Sequence, residues 1–286
     1  MDKWNLIIDV AGCENCNNCV LAAKDEFVGN DFPGYSAPHP AQGPGVIRIQ
    51  RKVRGSTPMV DAAYLPVMCN HCDDGPCLKA GADGSVKKRA DGIVIIDPVK
   101  AKGRRDLVAA CPYGAIVWNE EQQLPQTWFF DAHLLDGGWK APRCVSVCPT
   151  GAIEAVKISD ADMAARIGQQ GLRSPHPEWG TRPRVHYRHM GRFDQLFLGG
   201  SAVRTSGGVP DCCEGARVTL LRDGNALAET STDVFGDFKF DGLLPDSGTY
   251  DILIDHPQAG RAARRVPLGE QSVYLGSVEL VGESSP

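Results

Sequence analysis

The sequence lacks any apolar run near the roughly 18 residues that cross a bilayer, so no membrane segment is expected. Its start, MDKWNLIID, has neither a charged region followed by an apolar one nor a twin-arginine pair. A cytoplasmic chain is therefore expected, unless a partner carries it across a membrane. There is no basic excess: 30 Lys and Arg face 35 Asp and Glu, which gives no reason to expect nucleic acid. A P-loop, a G-x-G-x-x-G turn opening a helix and a nucleophile–His–Asp arrangement are all missing, which removes the usual signs of nucleotide or hydrolytic chemistry. Two of the cysteine runs also stop one cysteine short. Position 23 is alanine and position 81 is glycine, where a further thiol would stand.

Cysteine itself is plentiful. Eleven occur, at positions 13, 16, 19, 69, 72, 77, 111, 144, 148, 212 and 213. In a reducing compartment so many thiols point to metal ligation rather than disulfides. Cys13, Cys16 and Cys19 follow the bacterial iron–sulfur spacing C-x2-C-x2-C, and Cys69, Cys72 and Cys77 follow C-x2-C-x4-C. Cys111 and Cys148 each open a C-P-x-G-A-I stretch, the strongest internal repeat in the chain. A cysteine before proline is how the fourth ligand appears in two-cluster ferredoxins, where it serves the other motif's cluster. Zinc is the alternative, since two C-x2-C pairs can make a four-cysteine site. Zinc does not call for the third cysteine of each triplet or for the repeat.

The texture of the chain changes near residue 199. Residues 1–198 carry nine cysteines, many Pro and Gly, and short strands at 45–49 and 92–96. Such a loop-rich segment leans on its metal clusters for stability. One amphipathic helix is predicted over 160–171, with Ser159 as its N-cap. Residues 199–286 read as short strands separated by turn signals, at 215–221, 232–240 and 248–254, the pattern of a β-sandwich. Nothing there looks catalytic, and the adjacent Cys212 and Cys213 read as ordinary thiols.

The ferredoxin motifs resemble those of the beta subunits of molybdopterin oxidoreductases. More narrowly, the chain is similar to the small iron–sulfur subunits of the pyrogallol–phloroglucinol transhydroxylase and resorcinol hydroxylase group. The resemblance is carried by residues 8–11 (IDVA), 32–35 (FPGY), 91–98 (DGIVIIDP), 111–114 (CPYG), 118–121 (WNEE), 132–136 (AHLLD) and 180–185 (GTRPRV). The C-terminal run resembles prealbumin-like and Cna-B-like sandwiches. The implied fold is α+β: a bacterial-type double-ferredoxin domain with loop-rich insertions over 1–198, then an all-β prealbumin-like sandwich over 199–286.

The resemblance also implies a ligand set. Cys13, Cys16 and Cys19 would be closed by Cys148, and Cys69, Cys72 and Cys77 by Cys111. One further family site would use Gly81, Ala101, Arg104 and Leu107 and retains no ligand. The other would use Ala23, Trp128, Asp131 and Cys144, and one thiol with one carboxylate does not hold a cubane as usually ligated. Two [4Fe–4S] clusters are therefore expected, with Trp128 filling vacated space and Cys144 left over. Asp131 as a surrogate iron ligand is a minor alternative, and Arg104 is a candidate to occupy the other vacated position. His71 is expected to donate a hydrogen bond near a cluster, and His133 to be a packed, hydrogen-bonded histidine. The basic runs at 87–89 and 100–105 read as solvated faces or a docking surface.

The function implied is electron transfer beside a large catalytic subunit carrying molybdenum bis-molybdopterin guanine dinucleotide. That partner would transhydroxylate or hydroxylate polyhydroxybenzenes, with an external electron acceptor in the second case. The alternatives are a structural or assembly subunit whose clusters are folding staples, a subunit of another molybdopterin oxidoreductase, and a freestanding ferredoxin.

Overall fold

The computed structural model describes residues 1–282. They form two compact units, one of residues 1–51 with 64–190, the other of residues 52–63 with those from 191 onward. Among the described residues no helix is long and apolar enough to cross a membrane.

The first unit is built around the strand Lys3–Asp9. Leu6, Ile7 and Ile8 are all buried, so both faces of this strand are covered, as in a central strand. It pairs antiparallel with Ile153–Ile158 and parallel with Val185–Arg188. The antiparallel register sets Ile8 opposite Ile153. Cys13 follows the first strand closely and Cys148 precedes the second, so this pairing carries Cys148 to the first cysteine run. The helix Asn18–Phe27 starts inside that run. Its Asp25 and Glu26 pair with Arg143, one residue before Cys144, at 2.7 and 2.5 Å.

Two short hairpins, Val86–Lys88 with Val94–Ile96 and Val117–Asn119 with Leu124–Gln126, flank the second group of cysteines. Val86, Val94, Ile96, Leu107 and Ile116 form a small core against which Cys77 and Cys111 pack. A separate small core joins Ile7, Met163 and Leu172 beneath the helix Asp160–Gln170. That helix is capped as expected: Ser159 Oγ accepts the Asp162 N–H at 3.1 Å.

The second unit is mostly β. The strand Leu196–Ser206 pairs antiparallel with Val209–Cys212 and Asp237–Leu243, and parallel with Val273–Glu279. A second sheet has the order Asn225–Ser231, Arg217–Arg222, Gly248–His256, Gly260–Leu268. Alternate residues point inward, including Val218 and Leu220, Phe238 and Phe240, and Tyr250, Ile252 and Ile254. Both sheets share this single core. Arg54 lies in the segment 52–63, and its side chain is fully buried. It is paired with Asp61 and with Asp241, the latter at 2.8 Å.

Candidate iron–sulfur sites

The first cysteine run turns tightly because Asn15 and Asn17 adopt left-handed backbone, which asparagine tolerates. The turn places Cys19 on the first turn of the helix Asn18–Phe27. Asn18 Nδ2 donates to the Val147 carbonyl at 3.3 Å, tying the run to the segment before Cys148. Burial raises the Cys13 thiol, which also feels Cys148 and Cys16, while the Asn15 amide opposes the shift. Cys19 is pushed up to about 11 by burial first and then by Cys13, Cys16 and Cys148. Cys13, Cys16, Cys19 and Cys148 therefore lie within electrostatic reach of one another.

Cys69, Cys72, Cys77 and Cys111 line one cavity, walled by apolar side chains such as Val86, Val94 and Ile116. His71 takes left-handed backbone, and its N–H lies 3.5 Å from the Cys69 sulfur. The Ala115 N–H lies 3.4 Å from the Cys111 sulfur. In both C-P-x-G-A-I stretches the glycine, Gly114 or Gly151, has positive φ, which explains the repeated glycine. A Cβ on Gly75 would stand 3.3 Å from both the Cys77 sulfur and the Cys72 Cβ, so the loop needs its bare backbone. Burial drives the Cys69 thiol far up, Cys72 to about 12 against a hydrogen bond from Thr181, and Cys77 to about 11.

These residues fit an iron–sulfur cluster on the chemistry of the donor set. Four thiols, starved of water and facing backbone amides, become stable thiolates only when a cationic centre supplies the opposing charge. A single ion suits them less well. Tetrahedral zinc would draw its four sulfurs to within about 3.8 Å of each other, given bonds near 2.3 Å. Among the described residues no three His, Cys, Asp or Glu side chains converge in that way.

Protein side chains occupy both positions where the resemblance would put a further cluster. Trp128 is fully buried, and its indole N–H donates to Asp131 at 3.0 Å. The other Asp131 oxygen accepts the Arg143 backbone N–H at 2.7 Å. Both carboxylate oxygens are thus engaged by protein donors, which leaves Asp131 a poor surrogate for an iron ligand. Cys144 is buried beside Asp131, and its thiol is raised by burial, then by Asp131, Cys19 and Cys148. Ala23 is buried on the helix Asn18–Phe27.

The expectation for Arg104 needs correction. Ala101 and Leu107 are fully buried, and the Val86 side chain fills the space beside Gly81. Hydrocarbon takes the interior because a guanidinium there would lose its hydration. Arg104 instead stays at the rim, paired with Asp83 at 2.6 Å and Asp106 at 2.7 Å, with the Ala80 carbonyl at 2.9 Å.

His71 accepts the Val94 N–H at Nδ1, 3.0 Å away, so its proton sits on Nε2. That Nε2 has no hydrogen-bond partner, and the ring does not line the cysteine cavity. It packs instead on Trp128 and Phe130. His133 is packed and hydrogen-bonded as expected, its ring tilted against that of Phe32 with centroids 4.0 Å apart and its Nε2 2.8 Å from Glu26. Lys88, within the basic run 87–89, contacts the second cysteine loop directly: its Nζ lies 2.6 Å from the His71 carbonyl and 3.1 Å from that of Cys72. In sequence it reads as surface charge, and no local signal marks it out.

Residues 60–158 match the 4Fe-4S dicluster domain, a span that includes Cys69 to Cys148 but not the first run. The chain is 40% identical to the pyrogallol hydroxytransferase small subunit of Pelobacter acidigallici, over 98% of this chain and 100% of that one. It belongs to the family of that small subunit. Beyond this family, one subunit of the sulfite dehydrogenase of Allochromatium vinosum is 30% identical over 65% of this chain and 83% of its own length. One subunit of the tetrathionate reductase of Salmonella typhimurium is 31% identical, over 65% and 72% respectively. The pyrogallol hydroxytransferase small-subunit family thus covers both units of this chain, whereas the broader relatives cover about two thirds of it.

Proposed function

We propose that this chain is the electron-transfer subunit of a molybdenum enzyme acting on polyhydroxybenzenes, and that it holds two [4Fe–4S] clusters. The first would be bound by Cys13, Cys16, Cys19 and Cys148, the second by Cys69, Cys72, Cys77 and Cys111. The observation that carries the reading is the gathering of these eight thiols into two groups of four. When bound, such clusters supply one-electron transfer at potentials set by charge, hydrogen bonds and exposure. The chain's own residues exclude water with Val86, Val94 and Ile116, direct the His71 and Ala115 amides at sulfur, and hold Lys88 against the second loop.

The partner would be a large subunit carrying molybdenum bis-molybdopterin guanine dinucleotide, paired with this chain as a heterodimer in the cytoplasm. It would transfer a hydroxyl between phenolic rings, as the name of the Pelobacter relative indicates for that enzyme, or hydroxylate a ring and pass electrons out to an external acceptor. Residues 1–198 would serve the clusters. Residues 199–286 would form a prealbumin-like or Cna-B-like sandwich for interaction rather than chemistry.

Iron, acid-labile sulfide and zinc on anaerobically purified protein test this reading. Two cubanes require about eight iron and eight sulfide per chain. Zinc without sulfide would overturn it. A second reading, clusters as folding staples, is favoured by the small separate cores of the first unit. Clusters that no physiological donor reduces would support that one.

A further inference from the structure

We propose that the aromatic wedge centred on Trp128 is the tunnelling bridge between the two cysteine sites. The inference rests on the two-cluster reading above. On one side, Asp131 accepts the backbone N–H of Arg143 at 2.7 Å, in the short helical segment Arg143–Ser146 that leads to Cys148. Asp131 accepts the Trp128 indole N–H at 3.0 Å. On the other side, the Trp128 ring lies 5.5 Å from the His71 ring, centroid to centroid, and His71 sits between Cys69 and Cys72 in sequence. Phe130 closes the triangle, 4.9 Å from Trp128 and 5.4 Å from His71. Trp128, Phe130 and His71 are each at most 1% exposed, so no water-filled gap interrupts the packing.

Tunnelling coupling falls off far more gently through bonded and closely packed atoms than across empty space. From Cys148 to Cys69 the path consists of covalent segments, two hydrogen bonds and van der Waals contacts. The step moves one electron: a reduced centre at one site is oxidised, and the oxidised centre at the other is reduced. The indole is neither oxidised nor reduced, no bond forms or breaks, and no proton moves. The His71 ring packs against both Trp128 and Phe130, so the contact to the wedge is broad. A tryptophan that only filled space would leave the rate between sites indifferent to its replacement by another large apolar side chain.

The test uses the full chain with its clusters, reduced to one electron per molecule by a photogenerated donor. Rapid-freeze electron paramagnetic resonance then follows redistribution of that electron between the sites. Trp128→Ala is expected to slow redistribution roughly tenfold, by leaving a gap of the kind large-to-small core substitutions leave. Trp128→Leu, which keeps part of the apolar bulk, should slow it less, and Trp128→Phe least. Iron content and both midpoint potentials should stay unchanged in all three. An unchanged rate in Trp128→Leu and Trp128→Ala with full iron content overturns the bridge alone. A wild-type iron content far from eight overturns the two-cluster reading and the bridge together.

Discussion

Lys88 holds its ammonium 2.6 Å from the carbonyl oxygen of His71, inside the C-x2-C turn of the second site. Burial works to lower its pKa, and Asp73, 2.8 Å away, counters that. A cation this close favours the more negative, reduced form of whatever the loop binds. Lys88→Met should therefore lower the midpoint potential of the second site, by about 60 mV, the equivalent of a tenfold change in a one-electron equilibrium. Lys88→Arg should restore most of it. Spectroscopic redox titration of both sites checks this, and the first site should not move.

The wedge at Trp128 also marks a position that can be rebuilt. Combining Ala23→Cys, Trp128→Cys and Asp131→Cys with the native Cys144 would place four thiols where the family pattern puts a further cluster. Iron per chain should rise from about eight to about twelve on anaerobic reconstitution. If iron stays at eight while the protein remains folded, these four positions do not share a site.

Gly75 separates Cys72 from Cys77. A methyl there would press on the Cys77 sulfur and the Cys72 Cβ, both 3.3 Å away. A sulfur fixed by iron cannot yield as a free thiol can. Gly75→Ala should lower occupancy of the second site while the first stays loaded, which Mössbauer spectroscopy and iron analysis on the otherwise native chain would resolve.

In the second unit, Arg54 is buried between Asp61 and Asp241, with Arg192 also 2.9 Å from Asp61. Arg54→Met removes that buried cation and leaves Asp61 to Arg192 and Asp241 to Lys239, 3.1 Å away. It should cost about 3 kcal/mol, the low end for a broken buried pair, since Asp241 remains partly exposed. Burial works to raise the Asp61 pKa, but hydrogen bonds from Arg54 and Arg192 overcome it and hold the carboxyl at about 2. The depressed value means that the contribution is complete above the unfolded pKa near 4 and is lost as pH falls towards about 2. Acid unfolding of wild type and Arg54→Met should therefore converge below that window. Parallel curves across it would remove Asp61 from the account.

The metal chemistry was legible because it is local. The spacings around Cys13 and Cys69, and the glycine of each C-P-x-G-A-I stretch, are demands of short turns on single residues. The repeat marked Cys111 and Cys148 as a related pair, but which run each would close came only from the family resemblance. The missing thiols at positions 23 and 81 were visible at once, although what their absence implies rests on the resemblance. What fills those spaces was settled in three dimensions. Leu107 lies on the short helix Asp106–Ala109 and Arg104 just before it, and only the packing of Val86 and Leu107 decided that hydrocarbon goes inside and the cation to the rim. His71 could donate from either nitrogen until the Val94 amide claimed Nδ1. Lys88 and Arg54 look like surface charges in sequence. The fold buries one against a cysteine loop and the other between two aspartates, because desolvating a cation is tolerable only where carbonyls or carboxylates from distant segments arrive to meet it.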